Sequence, residues 1–169
     1  MRRQTHLAVG AFCAVPIASD LAPTAAVGAL VCCLAGAVVP DYLDLRSDFK
    51  RVLRHRGMSH SVVVGVLATF VMYLIVDALS RVEPGAFSLT ESVVQPMWLA
   101  FAVGLISHLA LDACTPSGIQ PALPLFRWRL WLLPRSMRIR TGGKADGMIR
   151  WLAAVAAMVL LVESLISGL

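Results

Sequence analysis

The sequence has little charge and few aromatic residues. Only 15% of its 169 residues are charged and 7% are aromatic, whereas 58% are hydrophobic. Soluble domains have about 25% charged residues, and a mean hydropathy of +0.76 excludes that class. Since each helical crossing uses about 20 apolar residues, the length leaves little room for a separate soluble module. We therefore predict a single integral membrane domain over residues 1–169.

Motifs that would indicate disulfide or serine chemistry are also missing. The four cysteines form no CxxC pair, so they are expected to be small core residues: Cys13, Cys32, Cys33 and Cys114. Ser59 and Ser61 flank His60, but no GxSxG elbow surrounds them, and helix capping by Ser59 is favoured over nucleophilic catalysis.

Five apolar stretches are present, at residues 6–18, 21–39, 62–79, 97–111 and 151–166. The first would cover roughly 20 Å as a helix, which is short for a membrane span. "PIASDLAP" contains two prolines and predicts a turn after it. The pattern predicts an all-α, polytopic membrane protein with about five transmembrane or membrane-embedded helices, the first of them short.

The basic residues are distributed very unevenly between these stretches. With five crossings, 14 of the 15 Lys and Arg residues fall on one face, and only Arg81 falls on the other. The positive-inside rule makes the basic face cytoplasmic. The expected location is the inner (plasma) membrane of a bacterial or archaeal cell, with the N-terminus inside and the C-terminus outside. Contacts with membrane lipid explain the net charge of +5 better than nucleic-acid binding does.

All histidines and several carboxylates are predicted at the inner ends of the apolar stretches, so the candidate active site lies at the cytoplasmic ends of the helices. His108 and Asp112 are four residues apart on one helical face, and Asp41 and Asp44 would share a face if a helix continues past Pro40. The full set of candidate metal ligands is His6, Asp41, Asp44, His55, His60, His108 and Asp112.

Imidazole and carboxylate ligands together favour Zn²⁺, with Mn²⁺ or Fe²⁺ as alternatives, and the number of ligands allows one or two ions. Such a site activates water for hydrolysis. His55 and His60 are candidates for catalysis, and Arg56 between them is a candidate phosphate clamp. Each side chain alone could instead cap a helix or pair with an arginine. "RIRTGGKADG" matches no phosphate-binding loop, and Asp146 within it is an extra ligand candidate.

The motifs "TH", "PDYLD", "HRGMSHS" and "HLALDACTPSGIQ" occur in this order between His6 and about residue 124. The chain resembles the YdjM-like, LexA-regulated family of inner-membrane metal-dependent hydrolases. The resemblance implies that the His and Asp residues of these motifs are metal ligands. It implies hydrolysis but names no substrate.

The position of the predicted site, at the head-group level among arginines and tryptophans, favours a phosphate ester of a lipid as substrate. The expected activity is that of a phospholipase or a lipid phosphatase. An acyl-lipid amide or ester hydrolase is the second enzymatic reading. A metal-binding membrane protein without catalysis, such as a transporter or sensor, and a structural subunit that recruits DNA through its basic loops are the non-enzymatic readings.

Overall fold

The computed structural model describes residues 1–45, 58–81 and 91–167. In these ranges the protein is all-helical and has no strand, as the sequence predicts. The six α-helices are α1 (Arg3–Ala18), α2 (Pro23–Gly36), α3 (Val39–Leu45), α4 (Val62–Ser80), α5 (Glu91–Ala113) and α6 (Lys144–Ser167). Single 3-10 turns cover Met58–His60 and Arg135–Met137.

Fewer helices reach membrane-spanning length than the five apolar stretches suggest. Among the described residues, three helices are long and apolar enough to cross a membrane: α4, α5 and α6. α1 has 16 residues and α2 has 14, so at 1.5 Å per residue they extend about 24 and 21 Å, short of a hydrocarbon core of about 30 Å. The prediction of about five membrane helices is therefore corrected to three of spanning length.

The helix in the second apolar stretch is shorter than the stretch itself, because the helical structure breaks between α2 and α3. α2 begins at Pro23, whose fixed φ suits the first turn of a helix, and ends at Gly36. α3 then begins at Val39, with Pro40 in its first turn, where the missing N–H has no helical partner to lose. Asp41 and Asp44 thus share a helix, as expected, but this helix is separate from the one before it.

α2 and α5 are in backbone contact. A Cβ on Gly104 would lie 2.0 Å from the Cys33 carbonyl oxygen, and a Cβ on Gly36 would lie 2.1 Å from the Phe101 carbonyl oxygen. Only glycine fits at such positions, and small residues commonly allow membrane helices to approach this closely. The contact fixes the end of α2 beside the middle of α5.

α1 packs against α2, α5 and α6, whereas α4 packs against α5. The cysteines are free, as expected, and Cys32 and Cys33 are buried between the helices. Ser61, rather than the predicted Ser59, caps α4, because its Oγ accepts the Val64 N–H at 3.2 Å. Ser59 instead faces the neighbouring His60 ring.

The segment between α5 and α6 is held against the ends of the helices by backbone hydrogen bonds. Leu132 N–H donates to the Ala113 carbonyl, and Ile139 N–H donates to the Cys114 carbonyl, both at 3.0 Å. The Val62 N–H, at the start of α4, donates to the Pro121 carbonyl at 2.9 Å. The segment therefore links the end of α5 to the start of α4.

Candidate metal site

Five of the predicted ligands meet at one end of the helices: His6 from α1, Asp41 from α3, His60 just before α4, and His108 and Asp112 from α5. The three imidazoles are fully buried, Asp112 is 1% exposed and Asp41 is 20% exposed. We call these five residues the His/Asp cluster. Because only Asp41 has appreciable exposure, the cluster opens to its surroundings on the α3 side.

The ligand atoms of the cluster are close enough to share an ion. The Nε2 atoms of His60 and His108 are 3.1 Å apart, and His60 Nε2 lies 3.3 Å from Asp112 Oδ2. Asp41 Oδ1 lies 3.8 Å from His60 Nε2 and 3.7 Å from His108 Nε2. Two ligands of one tetrahedral zinc ion are about 3.4 Å apart, given metal–nitrogen bonds of about 2.1 Å.

Two overlapping ligand groups result, each with its ligand atoms within 4.8 Å of one another. One group consists of His60, His108 and Asp112, and the other consists of His6, Asp41 and His108. His108 belongs to both groups, so the arrangement suits one ion with a wide ligand set or two neighbouring ions.

The orientation of His108 is set by the contact between α2 and α5. Its Nδ1 lies 2.6 Å from the carbonyl oxygen of Ala37, which can only accept a hydrogen bond, so Nδ1 carries the proton. In the neutral ring this leaves the Nε2 lone pair facing the cluster, as in metal-ligating histidines whose other nitrogen donates to a carbonyl.

His60 has a similar second contact. Its Nδ1 lies 2.9 Å from the hydroxyl oxygen of Ser59. If Nδ1–H donates to this hydroxyl, Nε2 is left as an acceptor or ligand. Ser59 is 5% exposed and therefore a buried positioning group for the ring.

His6 is the cluster residue whose surroundings are most consistent with a bound ion. Its ring is fully buried and stacks on His108 at a centroid distance of 3.9 Å, and within the described residues neither ring nitrogen has a hydrogen-bond partner. Nε2 lies 3.4 Å from Asp112 Oδ1. Buried polar atoms are normally satisfied, so an orphaned imidazole beside a carboxylate is consistent with a metal ligand.

The cluster is also suited to positive charge. The amino-terminal ammonium of Met1 contacts Asp112 Oδ1, and Met1 is itself 6% exposed. Asp112 is almost completely buried, and buried carboxylates are normally paired with a cation or bound to a metal. Asp112 Oδ1 therefore already pairs with a cation, while Oδ2 faces His60 Nε2 at 3.3 Å.

Three predicted residues cannot be placed in the cluster from the described structure. Asp44 lies on α3, but its side chain is outside the described part, as are the whole of His55 and Arg56. Their assignments as metal ligands, and those of His55 and Arg56 as catalytic or phosphate-binding groups, stay predictions.

Asp146, the extra ligand candidate, lies elsewhere. Its Oδ1 accepts the Thr5 hydroxyl and its Oδ2 accepts the Gly142 N–H, both at 2.7 Å. It is fully buried in the first turn of α6 and belongs to neither ligand group found among the described residues. Asp146 therefore ties α6 to α1.

Two groups that orient the cluster were not identified from the sequence. The Ala37 carbonyl carries no side-chain signal, so its contact with His108 could not be anticipated. Ser59 was considered only as a helix cap, although its position next to a candidate ligand could have indicated a supporting hydrogen bond.

A family model described as YdjM inner membrane protein matches residues 1–168, which include every predicted site residue. Comparison with curated proteins and with solved structures found no match.

Proposed function

The chain belongs to the YdjM inner membrane protein family, and on that premise we propose that it is a membrane-embedded metal-dependent hydrolase. Its proposed substrate is a phosphate ester of a lipid, cleaved as by a phospholipase or lipid phosphatase. The observation that carries the proposal is the buried His6 ring, whose nitrogens lack hydrogen-bond partners in the described structure, within a cluster of converging imidazoles and carboxylates.

In this proposal, His60, His108 and Asp112 would hold the first ion, because their ligand atoms lie within 3.1–3.9 Å of one another. His6 and Asp41 complete its coordination or contribute to a second ion, as Asp44 and His55 would. The mixed nitrogen and oxygen ligands favour zinc, followed by manganese or iron. A divalent cation in such a site lowers the pKa of a coordinated water and polarises a phosphoryl oxygen.

The hydrolysis adds one water to one ester bond. The water oxygen bonds to phosphorus, the bond from phosphorus to the lipid oxygen breaks, and a water proton ends on that lipid oxygen. Where Asp41 does not bind an ion, it is the described group best placed to carry the proton, because it is the partly exposed carboxylate of the cluster. Arg56 is proposed to hold the phosphate, and His55, or His60 where it is not bound to an ion, is proposed to assist proton transfer.

A lipid substrate is favoured by the position of the cluster at one end of the spanning helices. The adjoining segment exposes large apolar side chains beside arginines, including Phe126 at 67%, Trp128 at 51% and Leu132 at 56%. Such a surface is typical of the head-group layer. The proposal puts this end in the cytoplasm and the C-terminus outside, because the basic loops favour that orientation under the positive-inside rule.

An acyl-lipid amide or ester hydrolase would use the same cluster on a carbonyl substrate, and a non-catalytic metal-binding protein would use it only for binding. The non-catalytic reading is weakened by the position of the cluster, since transport sites commonly lie near the bilayer midplane. Nucleic acid is not an expected partner.

The test is metal analysis of detergent-purified protein, prepared without chelator, for the wild type, His60→Ala, Asp112→Ala and the control Asp77→Asn. About one to two ions per chain in the wild type and the control, lost in both site variants, would support the site. The metal-loaded protein is then assayed for release of phosphate and fatty acid from phospholipids. Metal-free wild type would contradict the proposal, and bound metal without hydrolysis would favour the non-catalytic reading.

A further inference from the structure

A groove of about 520 Å³ runs along the membrane-facing surface between α4 and α5. Its floor is buried: Gly65 is buried, Leu105 is 6% exposed and Leu109 is 8% exposed. Its rims are exposed, with Val66 at 62% and Ile106 at 63%. The combination of a buried floor and open rims distinguishes the groove from an ordinary convex lipid-facing surface.

Gly65 creates the depth of this groove. A Cβ at this position would lie 2.8 Å from Leu105 Cδ2, so the absence of a side chain lets α5 lie close to α4. The lining includes the hydroxyl of Thr69, which donates to the Gly65 carbonyl at 3.0 Å. Its hydrogen-bonding capacity is thus partly used within α4, and the groove suits an apolar occupant.

One end of the groove lies close to the His/Asp cluster, although no cluster residue lines the groove itself. Val62 and Leu109 line this end, and they are close in sequence to His60 and His108, whose Nε2 atoms are 3.1 Å apart. An amphiphile whose polar group binds at the cluster could therefore place an apolar chain in the groove.

The other end is bounded by two aromatic rings. Tyr73 and Trp98 are packed edge to face at a centroid distance of 6.2 Å, and both rings also line a separate pocket beyond them, of about 440 Å³, which includes Asp77. Val62 and Tyr73 are about three turns apart on α4, or roughly 16 Å along its axis. The groove is therefore finite in length.

Resting on the proposed function, we infer that this groove holds one acyl chain of the lipid substrate, with the head group at the His/Asp cluster and the chain directed towards Tyr73 and Trp98. An acyl chain matches the groove in polarity, and the cluster supplies the polar end that a purely apolar occupant would leave unpaired. The aromatic pair limits the length of chain that the groove accommodates.

The first test measures binding and does not depend on turnover. Metal-loaded protein in phosphatidylcholine nanodiscs is exposed to phosphatidic acid that carries a photoreactive diazirine in the middle of one acyl chain, and crosslinked peptides are mapped. We expect crosslinks concentrated on α4 and α5 along the groove. Equal labelling of the exposed α6 residues Leu152, Val155 and Met158 would mean ordinary surrounding lipid and would overturn the inference.

A matched pair of variants sharpens the test. Val66→Trp fills the groove, whereas Val71→Trp makes the same change on α4 at a 52% exposed position that does not line it. Groove crosslinking should fall several-fold in Val66→Trp and stay at the wild-type level in Val71→Trp, with equal bound metal showing that both variants are folded. Equal crosslinking in the two variants would overturn the inference.

The length limit is tested by Trp98→Ala, which opens the groove towards the pocket beyond. With dioctanoyl and dipalmitoyl phosphatidic acid as competitors of the photoreactive lipid, the variant should gain preference for the longer chain relative to the wild type. An unchanged preference would contradict the length limit. Absence of hydrolysis in a wild type that shows groove crosslinking would contradict the proposed function while leaving the acyl-chain site standing as a lipid-binding site.

Discussion

Thr5 and His6 are neighbours on α1 and are both buried, but their surroundings differ. The Thr5 hydroxyl donates to the Asp146 carboxylate at 2.7 Å, and this carboxylate also accepts the Gly142 N–H. The His6 ring nitrogens have no hydrogen-bond partner within the described residues. A satisfied buried group indicates a structural role, whereas an unsatisfied one that faces other ligands indicates a role that a bound ion would complete.

The largest effect is expected from a change that disturbs the contact between α2 and α5, against which the His108 ring is oriented. Gly104→Val places side-chain carbon against the Cys33 carbonyl, where even a Cβ would lie 2.0 Å away. Because the obstacle is backbone, the cost should exceed the roughly 1–3 kcal/mol of ordinary overpacking. We expect a large fall in Tm in detergent together with loss of bound metal. The control Gly147→Ala, whose Cβ meets nothing within 4 Å, should be neutral or stabilising by about 0.5–1 kcal/mol.

His6→Phe should separate metal binding from stability. The variant keeps a ring against His108 but removes both nitrogens. Loss of a residue that only hydrogen-bonds to a metal ligand typically lowers metal affinity by about 10–100-fold, so loss of a ligand should lower it by at least this much. The Tm of the metal-free protein should not fall, because an unsatisfied buried polar group has been removed. Titration with zinc and thermal unfolding without metal measure the two effects. Unchanged affinity would show that His6 is not a ligand.

Thr5→Val should produce the opposite pattern. It preserves shape and removes the hydroxyl that donates to Asp146, which should cost about 1–3 kcal/mol and lower Tm by several degrees. The amount of bound metal at saturation should match the wild type. A variant that binds no metal but unfolds at the wild-type temperature would reverse the roles assigned to the two neighbours.

Asp77→Asn should have the smallest effect. Asp77 pairs with Arg81 at 3.0 Å near the opposite end of α4, where the arginine side chain is 76% exposed. Exposed ion pairs contribute little to stability, and this carboxylate belongs to neither ligand group. Tm and bound metal should both equal the wild-type values, and a loss of metal would show that metal content responds to charge anywhere in the protein rather than to the cluster.

The convergence of His60, His108 and Asp112 could be predicted because hydropathy fixes which helix ends lie together and because a spacing of four residues places two side chains on one face. The family resemblance was likewise confirmed. The stacking of His6 on His108 required knowledge of how α1 packs, which composition and spacing do not provide.

Two other features could not be predicted for different reasons. The division between α2 and α3 occurs inside a continuous apolar stretch. Hydropathy is the same on both sides of the break, so it does not show where the hydrogen bonds of one helix end. The role of Asp146 depends on Thr5, 141 residues earlier. In the sequence, Asp146 lies in a glycine-rich basic segment, and nothing in this segment indicates a distant partner. Asp146 was therefore interpreted as a ligand candidate.

The bond between Thr5 and Asp146 also has a consequence for biosynthesis. During translation, α1 is made first and the start of α6 is made last among the elements that hold it. The helix that carries His6 therefore gains its hydrogen bond to α6 only after the other residues of the His/Asp cluster have been synthesised. The newly made protein would thus complete the His/Asp cluster as one of the last steps of its membrane assembly.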